Sequence, residues 1–290
     1  MKFSGFVCLI SVLFVLSACG PQAPTSAQSE SKPVSSTTPE IKAPAAGAAT
    51  NAVTPLAAQC QLKLGFEAWE PYQYTALDNK PAGLDIELVQ EIAQQMGCEI
   101  VAQQGSWTEL INALKGGTVD LLLGASITPA RQEYAFFSEP YRQEQFVLFV
   151  RSADVAGYPQ NTLAEFIGAG KKVGIISEYY YGSEFADLYN QAPLKKQFIE
   201  ASLGELNLAR LLDEDIDGML EDSFVGHAML RRKGLDKQIG AHSISMGNTD
   251  VFVMFSKATV KAEQVSAFNQ ALATIKADGR YNGIIQRYIH

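Results

Sequence analysis

Apolar and polar positions alternate near residue 60. In Gln61-Leu62-Lys63-Leu64-Gly65-Phe66 every second side chain falls on one face, the pattern of a strand. Over residues 84–96 the period becomes helical. Leu88, Val89, Ile92 and Met96 share a face, and Gly97 follows as a stop. Residues 99–102 read as the next strand. Ser106-Trp107-Thr108-Glu109 is a capping box, opening a helix that carries Leu110, Ile111 and Leu114 and ends at Gly116-Gly117. Residues 119–123 are apolar except for Asp120, as in a strand covered on both faces. Thr128-Pro129 starts another helix, with Thr as N-cap and Pro at N1.

The pattern then restarts. Strands are expected at 172–176, 218–221 and 251–255. Helices are expected at 183–190, 224–232 and 264–277, and residues 281–288 close the chain. No repeat of fixed period is visible. Alternating strand and helix signals predict an α/β fold with parallel sheets. The expected architecture is two lobes, each a mostly parallel sheet flanked by helices, with a cleft between them. Residues 58–149 and 250–290 would form lobe 1, and 150–249 an inserted lobe 2.

Upstream of residue 58 the composition changes. Lys2 precedes a mostly apolar stretch, 3–16, that is shorter than the ~20 residues a membrane span needs. It has the shape of a secretory signal, 1–18. Leu16-Ser17-Ala18-Cys19 resembles a bacterial lipobox, which implies acylation of Cys19 after cleavage before it. The alternative is an ordinary signal with an incidental Cys. Several acyl chains would anchor the chain stably to a membrane. Gly20, rather than Asp, follows the Cys, which in a Gram-negative cell points to the outer membrane. Residues 19–57 are rich in Ala, Pro, Ser, Thr and Gln and lack aromatics, so they read as a tether with a reach of roughly 35 Å.

The net charge of −8 argues against a nucleic-acid partner. His227, His242 and His290 are scattered without metal-ligand spacing, so neither a metal nor a cofactor is expected. Cys8 lies in the signal and Cys19 in the lipobox, leaving Cys60 and Cys98. An exported compartment favours their pairing, provided their strands are parallel neighbours; otherwise they are two buried thiols.

In open α/β sheets ligands sit beyond the carboxyl ends of strands. That rule selects Glu67-Ala68-Trp69-Glu70-Pro71-Tyr72, the loop from Gly124 through Ser126 to Arg131, the segment 177–182, and Glu221-Asp222-Ser223. Arg131 falls at helix position N3, where a cation opposes the dipole. A bound carboxylate would remove that conflict, with Ser126 assisting; a surface Arg paired with a nearby Glu is the other reading. Asp222 suits a ligand ammonium or a helix N-cap. Trp69 suits a cover over the ligand or core packing. Tyr179 and Tyr180 suit a cleft lining or a half-buried loop. Trp107 reads as packing at its helix start. Glu67 stays ambiguous.

Gly83-Leu84-Asp85-Ile86-Glu87-Leu88, then Trp107, then Gly124 to Arg131, then Phe137-Ser138-Glu139-Pro140-Tyr141 is similar to the first-lobe pattern of the family-3 extracellular solute-binding proteins, the polar amino-acid-binding components of bacterial ABC importers. Lys172-Val173-Gly174-Ile175, Ile216-Asp217-Gly218-Met219-Leu220-Glu221-Asp222 and Ala277-Asp278-Gly279-Arg280-Tyr281 resemble its later motifs in the same order. The resemblance implies a monomeric, periplasm-facing protein that captures a small amino-acid-like ligand by lobe closure. It would deliver the ligand to the transmembrane subunits of an ABC permease. It assigns the ligand carboxylate to Arg131 and Ser126, the ammonium to Asp222 and the aromatic cover to Trp69. The segment Ser177-Glu178-Tyr179-Tyr180-Tyr181-Gly182 departs from the family's usual Gly with Thr or Ser. Two rivals stay open: a sensor module for a membrane receptor, and an enzyme like the periplasmic cyclohexadienyl dehydratases, with Glu67 or Glu178 as acid.

Overall fold

The structure, a computed structural model, describes residues 60–288. The signal, Cys19 and tether readings lie outside the described residues. Lobe 1 begins with β1 (Cys60–Phe66), a two-stranded ribbon of β2 (Tyr74–Thr75) and β3 (Pro81–Ala82), α1 (Leu84–Gln95), β4 (Cys98–Gln104) and α2 (Trp107–Lys115). It continues through β5 (Leu121–Ala125), α3 (Pro129–Gln132), β6 (Ala135–Phe137) and β7 (Arg142–Glu144). Lobe 2 holds β8 (Phe146–Arg151), α4 (Leu163–Gly168), β9 (Val173–Ile176), α5 (Ser183–Tyr189), α6 (Ala192–Lys195), β10 (Phe198–Ala201), α7 (Gly204–Leu212), β11 (Gly218–Asp222), α8 (Ser223–Lys233) and β12 (Ile239–Ser245). The chain returns to lobe 1 with β13 (Thr249–Ser256), α9 (Ala262–Ala277) and α10 (Arg280–Gln286).

The first sheet runs β4-β1-β5-β13-β6, with β7 also paired to β13; the second runs β10-β9-β11-β8-β12. Strands β4, β1 and β5 are mutually parallel, as are β10, β9 and β11. The rest of each sheet is antiparallel. The expected mostly parallel sheets are therefore mixed. The crossing strands β8 and β13 enter each sheet from the opposite lobe and pair antiparallel to the βα units.

The expected lobe boundary also moves. Only Gln145 separates β7 in the first sheet from β8 in the second, so a division at 149/150 would cut through β8. Residues 146–150 form an apolar run with no polar break, and periodicity gives no sign that the chain has changed lobes there. On return, β13 starts at Thr249, one residue earlier than expected.

The cores follow the amphipathic pattern. Leu88, Val89 and Ile92 of α1 pack with Leu62, Leu64, Phe255 and Phe268. Trp107, Leu110, Ile111 and Leu114 of α2 cover the opposite face with Val119, Leu122 and Met254. In lobe 2, Phe149, Leu208, Leu211, Met219 and Met229 form a separate cluster. Gly226 lets α8 lie close on β8: a Cβ there would sit 2.3 Å from the Phe149 ring.

Parallel pairing of β1 with β4 sets Cys60 opposite Cys98, and the two form a disulfide with Cα atoms 4.4 Å apart. It closes a separation of 38 residues around α1. Removing such a crosslink costs about 3 kcal/mol, mainly by freeing the unfolded chain. The Cys60→Ser/Cys98→Ser double variant is expected to lower the urea midpoint accordingly. A midpoint unchanged under reducing and oxidising conditions alike would contradict a structural role.

Candidate functional site

The carboxyl ends of β1, β5, β9 and β11 converge where the lobes meet, and the predicted residues divide there into two groups. Glu67, Trp69, Gly124, Ser126, Arg131, Tyr179 and Tyr180 line one cavity. Asp222 does not. It is 1% exposed, and its Oδ1 accepts from the amides of Phe224 (2.9 Å) and Val225 (3.1 Å), capping α8. Asp222 faces a different opening, lined also by Tyr72, Gln145, Ser223 and Asn248.

Arg131 sits in the single turn of α3, where its amide donates to Thr128 Oγ1 (3.2 Å). Its guanidinium is buried against the Trp107 ring, 5.4 Å from its centre. Nη1 donates to the Ser126 carbonyl (2.9 Å) and Nη2 to the Glu178 carbonyl (2.7 Å). No carboxylate forms a salt bridge with it among the described residues. Burial pushes its pKa down. Ser126 thus meets Arg131 through its carbonyl rather than its hydroxyl.

Gly124 has φ +72°, and a Cβ there would come within 3.3 Å of the Trp69 ring, so the left-handed turn and the tight packing both favour glycine. Its amide donates to the Tyr141 hydroxyl (3.0 Å).

The tyrosine segment separates by side chain. Tyr181 is core, its hydroxyl accepting from the Ile176 amide (2.7 Å). Tyr180 lines the cavity. Tyr179 reaches across the lobes: its hydroxyl donates to Glu67 Oε2 (2.6 Å), and its ring packs edge-on against Trp69 and Trp107. Glu178, at φ +67°, aims its carbonyl at both Arg131 and Trp107 Nε1 (3.2 Å). Trp69 Nε1 donates to Glu221 Oε1 (3.1 Å), and Arg232 pairs with Glu70 across the same seam. The lobes are closed on each other. The remaining cavity is about 20 Å³, room for about one water.

Sequence reasoning missed Glu144 and Phe146 as cleft residues, read Trp107 only as packing, and selected Glu221 only as part of its segment. The fold alone shows Glu144 facing inward: Arg142, Glu144 and Phe146 are buried while Gln143 is exposed and Gln145 half-buried, and with charged and polar side chains at both sets of positions the sequence has no period to mark it. Glu221 precedes Asp222 on a strand buried throughout.

Three cleft carboxyls are perturbed. Burial pushes Glu67 and Glu144 up to about 7 and Glu221 up to about 8, against smaller hydrogen-bond or charge effects that favour ionisation. A carboxyl raised above its unfolded value stabilises the fold below about pH 4.5, and that contribution is lost as pH rises through 7–8. The melting temperature is therefore expected to rise as pH falls from 8 to 5, and Glu221→Gln to flatten the rise. A melting temperature that falls over that range in circular dichroism would contradict the burial.

The sequence pattern of the bacterial extracellular solute-binding proteins, family 3, matches residues 62–290. The chain belongs to this family. Two curated relatives are a probable histidine-binding protein of Campylobacter jejuni, 26% identical over 76% of this chain and 81% of the relative, and the ABC transporter arginine-binding protein 1 of Escherichia coli, 23% identical over 76% and 86%. A histidine kinase sensor domain with similarity to periplasmic binding proteins shares the fold, with TM-score 0.70 and 22% identity over 80% of this chain and 96% of that domain. The family match places the chain among bacterial extracellular solute-binding proteins, and the shared fold is α/β and two-lobed.

Proposed function

We propose that this chain is an exported, lipid-anchored receptor that captures a small amino acid in the inter-lobe cleft and hands it to an ABC permease. One observation carries the reading: Arg131 is a buried cation with no carboxylate partner among the described residues, its guanidinium donating to two protein carbonyls. A ligand carboxylate would replace the Glu178 carbonyl with a charge-assisted, bidentate partner. Ser126 would turn its hydroxyl to the same group. Trp69 and Tyr180 would cover the side chain.

Tyr179 fills the space a ligand needs, so capture requires that its ring leave and its bond to Glu67 break. Ligand binding then exchanges one closed arrangement for another, and net affinity is the difference between them. A thermal-shift panel of the common L-amino acids tests this. One or more is expected to raise the melting temperature in a concentration-dependent way. No shift at millimolar concentration from any of them would overturn the reading.

Likeness to a histidine kinase sensor domain supports a second reading, a binding module that reports to a receptor. Ligand uptake by vesicles carrying an amino-acid ABC permease, measured with and without this protein, separates the two. The buried, protonatable Glu67 supports an enzyme reading only if a cyclic amino-acid precursor is turned over.

A further inference from the structure

We propose that Glu144 receives the ligand's ammonium group, the role the family resemblance gives to Asp222. The proposal rests on the reading of the cleft as an amino-acid site. Glu144 ends β7, where the chain leaves lobe 1, and lines the same cavity as Arg131. Its side chain is 3% exposed, and its Oε2 is a buried oxygen without a hydrogen-bond partner. A carboxylate oxygen left unpaired in a dry cleft carries its full desolvation penalty until a donor arrives.

None of the described residues supplies that donor. Arg142, on the same strand, stands 3.8 Å away and is committed elsewhere: Nε and Nη2 grip Asp85 of α1 at 2.8 and 3.1 Å. Asp222, from the end of β11, is a like charge whose Oδ1 is occupied by the α8 amides. Arg131, from α3, points its guanidinium at carbonyls. Among the described residues, Arg142, Asp222, Asp85 and Arg131 are the charged groups that act on Glu144. One small cavity thus has in its wall a guanidinium held only by carbonyls and a carboxyl whose Oε2 lacks a hydrogen bond, with Arg142 3.8 Å away. In an α-amino acid the complementary carboxylate and ammonium hang from one carbon. Burial holds Glu144 near neutrality's edge, at about 7, so an arriving ammonium would also release its proton.

The test uses L-arginine and its des-amino analogue, 5-guanidinopentanoate, titrated calorimetrically into the full chain and into Glu144→Gln and Asp222→Asn. Wild type is expected to prefer L-arginine by about 30-fold, as for a buried charge pair. Glu144→Gln should bring that preference close to one while binding the analogue as wild type does. Asp222→Asn should retain most of the preference. Proton release on binding L-arginine at pH 6.5, from buffers of different ionisation enthalpy, should fall in Glu144→Gln. Both variants are checked by melting temperature, so a misfolded one is recognised. If the preference survives Glu144→Gln and collapses in Asp222→Asn, the proposal is overturned and the function reading stands. If wild type binds none of the common L-amino acids, both are overturned; if it prefers another of them to L-arginine, the same comparison is made with that amino acid and its des-amino analogue.

Discussion

Arg131→Ala is expected to lower affinity for a captured amino acid by about 1,000-fold, with little change in melting temperature. A buried, bidentate charge pair is worth about 4 kcal/mol when one partner is truncated, which is three decades in affinity. Stability should change far less. Arg131 has no salt bridge among the described residues, so its loss strands no buried opposite charge there. Two carbonyls, of Ser126 and Glu178, lose a donor. That amounts to about 1–2 kcal/mol, offset by ending the burial of a guanidinium. Arg131→Lys should recover only part of the affinity, because an ammonium cannot grip a carboxylate with two parallel bonds. Isothermal calorimetry and a melting curve on the same sample check both halves. Affinity within threefold of wild type would remove Arg131 from the site.

Asp85→Ala should instead act on the fold, lowering stability by about 3–5 kcal/mol. Asp85 lies in the first turn of α1 with its side chain 0% exposed, and it holds Arg142 by two oxygens. Gln73 Nε2 donates to the same carboxylate (3.2 Å). Arg142 is stacked on Tyr72, 3.7 Å from the ring centre, and faces Trp69 at 5.3 Å. Without Asp85 this cation stays buried with only the more distant Glu144 to answer it. The melting temperature should fall by about 10 °C. Asp85→Asn, which keeps the volume and one acceptor, should fall less. A loss below about 1 kcal/mol in urea denaturation would show that Arg142 finds water or Glu144 instead.

Much of the lobe 1 frame was legible because its elements are amphipathic and punctuated. The helix expected at 84–96 is α1, Leu84–Gln95, and Gly97 follows it at φ +72°. The capping box of Ser106 and Glu109 is present at α2. The strands that join the lobes were not legible. β7 is three residues long and β8 is a continuous apolar run, so neither has a period to read, and their partners are distant in sequence. The same distance hid the site's self-satisfaction. Residue type identifies Tyr179 as an aromatic on a loop. Only the fold brings its hydroxyl to Glu67, 112 residues away, and the Glu178 carbonyl to Arg131, 47 residues away. Asp222 shows the converse: one residue type served two roles, and the local one, capping α8, is the one observed.

The central claim is that the cleft recognises a carboxylate at Arg131. It is tested most directly by calorimetric titration of the unmodified protein with L-arginine and L-histidine beside their decarboxylated amines, agmatine and histamine. At least one amino acid should bind, and its amine should bind about 100-fold more weakly or not at all. An amine that binds as tightly as its parent amino acid would contradict it.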